Sequence, residues 1–159
     1  MPKDHRFAAY RRCGAATALL LVAASCTQLS PTSSAAIPPI PAGDARLWFY
    51  RDSGPRETQT RPYLRLNGQI AGISQPTGAF YRDVAPGHYT VTVDSYLSTD
   101  FDQFADIDLT VGQEAYVKVL AQGHWVGGER ADRENFYTRV IPAEAGRADT
   151  ARRSFYGGS

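Results

Sequence analysis

Histidine and aspartate are the residue types in this sequence that could perform acid–base or metal chemistry. His88 follows Pro86-Gly87, where it could act as a general base or simply begin a strand as a polar residue, and the second interpretation is favoured. The sequence contains no Gly-x-Ser-x-Gly, His-Glu-x-x-His or phosphate-loop motif. We therefore predict that the protein is not an enzyme. A hydrolase that uses His88 or His124 with an aspartate is retained as the least favoured hypothesis.

Four aspartates within nine residues could supply the oxygen ligands that Ca²⁺ prefers. They are Asp100, Asp102, Asp106 and Asp108. The stretch lacks the glycine and the terminal glutamate of the helix–loop–helix calcium motif, and Asp106 and Asp108 alternate with apolar residues as on the solvated face of a strand. The pattern predicts no metal site and no cofactor.

A glycine-flanked aromatic segment is the best candidate for a binding loop. His124 and Trp125 lie in the stretch Gly-His-Trp-Val-Gly-Gly over residues 123–128. An exposed Trp at the end of a sandwich could anchor an envelope protein, or it could stack on a cell-wall glycan together with Tyr137. The alternative, which is favoured, is that Trp125 caps the core.

The first 25 residues have the pattern of an export signal. A basic segment that ends at Arg12 precedes a 13-residue apolar run, Cys13 to Ser25, which is shorter than the roughly 20 residues that a membrane span requires. Small residues at the end of this run fit a signal peptidase. The cysteine that follows offers a thiol that can be acylated.

This junction resembles the lipobox of bacterial lipoproteins, with Ala23, Ala24 and Ser25 before the acceptor Cys26. It has Ala where Leu is commoner, three positions before the cysteine. The resemblance implies cleavage before Cys26 and a lipid anchor in the cell envelope. Thr27 in place of an aspartate implies the outer membrane, facing the periplasm. The alternative is an ordinary secretory signal that leaves Cys26 as a free amino-terminal residue.

Cysteine count and charge exclude several classes of function. After cleavage Cys26 is the one remaining cysteine, so neither an intramolecular disulfide nor a cysteine-based zinc site can form. The leader carries four basic groups and one acid, so the mature chain keeps 13 of 17 basic groups and 15 of 16 acids, a net charge of −2. This near-neutral balance argues against a nucleic-acid partner.

The remaining chain divides by composition. Residues 26–43, with the lipid-acceptor cysteine, form a Pro/Ser-rich linker without charged residues, which favours an extended spacer. Residues 44–145 are predicted to form the folded domain, and residues 146–159 a flexible tail. With the leader at 1–25, these are the expected boundaries.

Within the domain the hydrophobic period is two. The run 46–51 is aromatic and is predicted to be a strand buried on both sides, while Tyr89, Val91 and Val93 alternate with polar residues. A second alternating strand places Ile107, Leu109 and Val111 inward. Turns are predicted at Asn67-Gly68, where both residues tolerate positive φ, and at Pro86-Gly87. Seven to eight strands without a convincing helix predict an all-β, antiparallel β-sandwich.

Residues 45–142 resemble a family of bacterial envelope lipoprotein domains of unknown function. The matching motifs are Leu47-Trp48-Phe49-Tyr50-Arg51, Asn67-Gly68, Gly78-x-Phe80-Tyr81, Pro86-Gly87-His88 and Gly112-x-x-x-Tyr116-Val117-Lys118. Residues 66–93 also resemble PEGA-type surface modules. The resemblance implies an immunoglobulin-like or transthyretin-like sandwich with no catalytic residues. The leading hypothesis is a non-catalytic binding or scaffolding lipoprotein, and the alternative is a carbohydrate- or peptidoglycan-binding module.

Overall fold

The computed structural model describes residue 31 and residues 37–52, 59–95, 104–126 and 129–159, with the backbone alone at 122–126 and 129–134. The predicted leader, its cleavage site at Ala23, Ala24 and Ser25, the acceptor Cys26 and most of the linker lie outside these residues. So do Asp100 and Asp102.

The described residues form nine strands and one helix. In chain order these are β1 (Ala45–Arg51), β2 (Tyr63–Leu66), β3 (Gln69–Ile73), β4 (Gly78–Val84), β5 (Gly87–Val93), β6 (Ala105–Leu109), β7 (Glu114–Val126), β8 (Glu129–Ile141), α1 (Ala143–Thr150) and β9 (Ser154–Gly158). They confirm a mostly β protein, with more strands than the seven to eight predicted. The helix was not predicted.

The strands form two sheets, as a sandwich requires. Sheet A has the order β8-β7-β1-β4-β9, and sheet B has the order β3-β2-β5-β6. Sheet A is mixed, because β1 runs parallel to β7 and β4 runs parallel to β9. The prediction of a purely antiparallel sandwich is therefore wrong. Parallel neighbours need long connections. All four strands of sheet B lie between β1 and β7 in the chain, and the connection from β4 to β9 includes α1.

Strand β1 is buried on both faces, which confirms the sequence prediction. All seven of its residues are buried. Its inner face contributes Leu47 and Phe49 to the core between the sheets, which they share with Leu64, Val91 and Val117. Its outer face carries Trp48 and Tyr50, which belong to a second apolar cluster that packs against α1 and includes Phe155 of β9. A strand covered on two sides needs apolar residues at consecutive positions, which explains the aromatic run.

Both predicted turns are confirmed. Asn67 and Gly68 connect β2 to β3 with φ values of 48° and 81°, the backbone conformation that these residue types tolerate best. The turn at Pro86 separates β4 from β5, which begins at Gly87.

Val111 is not inward-facing, which corrects the sequence prediction. Its side chain is 65% exposed, whereas Ile107 and Leu109 are buried as expected. Strand β6 ends at Leu109, and residues 110–113 form a turn in which the Gln113 amide donates to the Thr110 carbonyl. The alternation of side chains therefore stops before Val111.

The predicted flexible tail over 146–159 is also wrong. These residues hold most of α1 and all of β9, so the folded domain extends to the end of the described chain. The sequence shows little sign of this helix, because α1 is polar and its one buried residue is Gly146. An apolar stripe, the usual mark of a packed helix, is therefore missing.

Candidate binding site

The outer face of sheet A carries a cluster of aromatic rings. Alternation along β1 and β4 places Trp48 and Tyr81 on this face, and β7 and β9 add Tyr116 and Phe155. The Trp48 indole lies parallel to Tyr116 at 6.3 Å between ring centroids, and it meets Tyr81 edge-on at 5.0 Å. These rings form a rigid apolar floor.

Two glycines allow close packing around this floor, one from the covering helix α1 and one from β9, the strand beside β4 in the same sheet. A Cβ atom added to Gly146 of α1 would overlap the ring of Tyr116, and one added to Gly158 of β9 would overlap the ring of Tyr81. The helix is also held by the Tyr50 hydroxyl, which donates to Asp149 Oδ2 at 3.0 Å. Burial, followed by this bond, raises the pKa of Tyr50.

A groove of about 480 Å³ remains above the rings, and we call it the outer groove. Residues 37–40, the end of the predicted linker, form one wall, and α1 forms the other. The groove is lined by Ile37, Pro38, Pro39, Ile40, Arg46, Trp48, Ala79, Glu114, Tyr116, Arg147, Thr150, Ala151, Arg153 and Phe155. Its volume falls within the range of about 300–1,000 Å³ that is common for ligand sites.

Arg46 fixes the linker wall to the sheet. Its Nε and Nη2 donate to the two carboxylate oxygens of Asp83 at 2.7 and 2.8 Å, and its Nη1 donates to the Pro38 carbonyl at 2.8 Å. The guanidinium carbon lies 3.9 Å from the centre of the Tyr81 ring. The hydrogen bond to Asp83 raises the pKa of Arg46 despite burial. Arg46 is therefore a structural cation, whose donors are already occupied.

A second polar group holds the helix wall. The Tyr116 hydroxyl and Arg147 Nη2 both donate to Glu114 Oε2, at 3.0 and 3.2 Å. Burial, and then the bond to Glu114, raises the pKa of Tyr116 to about 12. The phenol is consequently neutral at physiological pH and acts as a donor.

Two donors of the outer groove have no partner. In the part of the chain that the structure describes, the buried side-chain nitrogens without a hydrogen bond are Trp48 Nε1 and Arg153 Nε. Trp48 is only 6% exposed, and Arg153 uses Nη2 to bind Asp52. An unpaired buried donor costs about 1–3 kcal/mol. Both nitrogens are covered by neighbouring atoms, so an acceptor from outside would reach them only after those atoms move.

The residues predicted for a binding loop lie elsewhere. The backbone at His124 and Trp125 belongs to the end of β7, where Trp125 pairs with Arg130 of β8 across a register shift between Gly123 and Trp125. The prediction of a loop is therefore wrong for residues 123–126, because glycine there accompanies an irregularity within a strand. The side chains of His124 and Trp125 lie outside the description.

The predicted polar strand residues are on the open face of sheet B. His88 is the second residue of β5 and its side chain is 59% exposed, with Nδ1 at 2.9 Å from Asp108 and Nε2 at 3.7 Å from Asp106. Asp106 and Asp108 are exposed, which confirms that they lie on a solvated strand face. In the described residues, no three His, Cys, Asp or Glu side chains are grouped so that they could hold a metal ion.

Sequence reasoning did not identify Trp48, Arg153 or Glu114 as site residues. The available signal was the order Arg46-x-Trp48-x-Tyr50, which predicts one mixed polar and aromatic face on a strand buried on both sides. Nothing local indicates that α1 and residues 37–40 wall this face.

No protein-family model and no curated protein matches the chain. The resemblance to envelope lipoprotein domains therefore stays a prediction. Within the described residues, no helix combines the length and apolar character that a bilayer span requires.

Proposed function

We propose that the protein is a non-catalytic binding module, tethered to the bacterial envelope by a lipid on Cys26, that holds an extended segment of another envelope protein in its outer groove. The observation that carries this proposal is the aromatic floor of the groove, where the Trp48 N–H has no partner and is reached by a ligand once the side chains that cover it move. A peptide carbonyl is a suitable acceptor for it, and extended peptides present carbonyls at regular intervals.

The chemistry of the walls supports a peptide ligand. Pro38 and Pro39 line the same groove as the aromatic rings. Grooves lined with aromatic rings and a Trp N–H are a recurrent way to bind extended, proline-rich segments, because such segments lose little conformational entropy on binding. Arg153 Nε offers a second donor for an acceptor on the same ligand.

The fold type and cellular address belong to the same proposal. An immunoglobulin-like or transthyretin-like sandwich is proposed from the sequence motifs. The outer membrane, with the domain facing the periplasm, is proposed from the residues around Cys26.

In-cell photo-crosslinking of the full chain tests the groove. A photoreactive phenylalanine replaces Ile37, which is 49% exposed on the groove wall. The control places the same probe at Val111, which is also exposed but does not line the groove. We expect a protein adduct from position 37 and not from position 111. The adduct should disappear with Trp48→Phe, which removes the N–H and keeps most of the ring, and should persist with Trp125→Phe.

Other outcomes would redirect the proposal. Glycan adducts from position 37 would favour the carbohydrate-binding alternative. Loss of the adduct with Trp125→Phe, and not with Trp48→Phe, would restore the segment at His124 and Trp125 as the site. An adduct that survives Trp48→Phe, with the melting temperature of the variant unchanged, would contradict a role for the indole N–H.

A further inference from the structure

Arg82 occupies an unusual position on the inner face of sheet A. Side chains alternate along β4, so that Tyr81 points to the outer cluster while Phe80 and Val84 pack against the core between the sheets. Arg82 lies on the same side as Phe80 and Val84, and it stands opposite Leu47 in the register of β1 and β4. A cation therefore sits at a position where the strand otherwise carries core residues.

The charge of Arg82 has no acidic partner among the described residues. Its hydrogen bond runs from Nη1 to the Tyr81 carbonyl at 2.9 Å, and its guanidinium carbon lies 5.3 Å from the centre of the Phe80 ring. Arg46, on the outer face of the neighbouring strand β1, is in contrast paired with Asp83. Burial lowers the pKa of Arg82, which shows that its surroundings disfavour the charge.

Arg82 borders a second groove, which we call the inter-sheet groove and which has a volume of about 340 Å³. The other lining residues are Leu66, Asn67, Gln69, Ile70, Ala71, Val84 and Tyr89. The walls are mainly apolar, and Ile70 is 58% exposed at the rim.

The polar groups of this groove are few. Asn67 already donates through Nδ2 to the His88 carbonyl at 3.4 Å and accepts the Thr90 amide at 2.9 Å. The Tyr89 hydroxyl donates to the Ala85 carbonyl at 2.7 Å, which leaves Gln69 and the uncompensated guanidinium of Arg82 as the remaining polar side chains. One cation beside an apolar trough complements a ligand with one anionic end and an apolar body.

We propose that the inter-sheet groove binds a fatty carboxylate, with the carboxylate on the Arg82 guanidinium and the acyl chain along Leu66, Ile70 and Val84. A carboxylate fits the forked donors of arginine. A peptide carboxyl terminus is the less suitable occupant, because its backbone would bring further N–H and C=O groups against apolar walls. This site is separate from the outer groove, so its failure would leave the peptide proposal intact.

Binding of sodium decanoate below its micelle concentration tests the inference. The protein is the full mature chain with Cys26→Ser, so that no attached acyl group competes. Calorimetry measures the affinity, and NMR follows the methyl signals of Leu66, Ile70 and Val84. We expect saturable binding that shifts these methyl signals, and weaker binding of decyltrimethylammonium, which has the same chain length and the opposite charge.

Matched variants distinguish the effect of the Arg82 cation from the effect of the net charge of the protein. Arg82→Met keeps an apolar stem and should weaken decanoate binding at least tenfold. Arg65→Met removes the same charge from an exposed arginine that pairs with Asp94, and it should leave decanoate affinity unchanged. Arg82→Lys should retain part of the affinity.

Several results would overturn the inference. Decanoate that leaves the three methyl signals unmoved would exclude the site. Equal decanoate affinities of Arg82→Met and Arg65→Met would show that the Arg82 cation is not used. Equal binding of decanoate and decyltrimethylammonium by the unsubstituted protein would show the same. This second comparison does not depend on the folding of an Arg82 variant. Tighter binding of the peptide Gly-Gly-Leu than of decanoate would assign the groove to a peptide carboxylate instead.

Discussion

Arg46 and Asp83 form an ion pair at the base of the outer groove, with side chains only 3% and 9% exposed. Arg65 and Asp94 form a similar forked pair on β2 and the end of β5, but their side chains are 34% and 43% exposed. The two pairs have the same chemistry in different solvent environments. Burial should therefore decide how much each contributes to stability.

We expect Asp83→Asn to lower the free energy of unfolding by about 2–4 kcal/mol, because it leaves a buried guanidinium without its counter-charge. Asp94→Asn should lower it much less, since water screens the exposed pair. Urea unfolding of both variants measures the difference. Equal losses would contradict the importance of burial at Arg46.

Tyr116 predicts a specific loss of stability in alkali. Its pKa is about 12 in the folded protein, whereas an unfolded tyrosine titrates near about 10. The folded state therefore holds the phenol proton more tightly, and this contribution is complete below about pH 10 and is lost as the pH rises through about 12.

The free energy of unfolding of Tyr116→Phe, which cannot ionise, should consequently fall less steeply between about pH 9.5 and 11.5 than that of the unsubstituted protein. Tyr63→Phe, at a 44% exposed position, serves as the control and should follow the unsubstituted protein. Urea unfolding at a series of pH values gives the slopes. Parallel curves for Tyr116→Phe and the unsubstituted protein would contradict the assignment.

At the scale of elements, helix α1 depends on a glycine. Alanine in place of glycine normally stabilises a helix by up to about 1 kcal/mol. At Gly146 the added Cβ would overlap the Tyr116 ring and force the helix away from sheet A. Packing therefore reverses the sign that helix propensity predicts.

We expect Gly146→Ala to destabilise the protein by about 1–3 kcal/mol in urea unfolding. In a Tyr116→Ala background, which removes the ring and keeps only the Cβ contact, the same substitution should cost less. A stabilising effect of Gly146→Ala in the unsubstituted protein would mean that α1 is not held against Tyr116. That outcome would also remove one wall of the outer groove.

At the scale of the whole molecule, the proposed anchor and the outer groove are close in the chain. Ile37 lines the groove and is eleven residues after Cys26, a distance of at most about 40 Å in a fully extended chain. A lipid on Cys26 would thus hold the groove near the membrane surface, where segments of other envelope proteins are available to it.

Lipidation itself is tested by metabolic labelling with palmitate in cells that express the full chain. The unsubstituted protein should incorporate label and fractionate with membranes, and Cys26→Ser should do neither. Cys13→Ser is the matched control and should keep the label, because this cysteine lies within the predicted leader. Unlabelled protein cut before Cys26 would instead support the ordinary secretory signal.

Strands and tight turns could be predicted because their causes are local. Alternation places Val91 and Val93 inward, and positive φ at Asn67 and Gly68 follows from the residue types alone. The aromatic run of β1 likewise predicts burial on two faces. Val111 was misplaced because alternation does not reveal where a strand ends.

Only the tertiary structure decided the mixed sheet and the candidate site. The parallel pairing of β1 with β7 joins residues far apart in the chain, and the pattern of either strand is compatible with other neighbours. The outer groove combines residues 37–40, Trp48 and Arg153, and Arg82 becomes notable only because none of the described acidic side chains pairs with it. The sequence by itself determined which residues are buried and where the chain turns. Which distant residues come into contact depends on long-range packing. The polar helix α1 shows this, because it contacts the sheet through Gly146 and therefore has no periodic pattern of apolar residues.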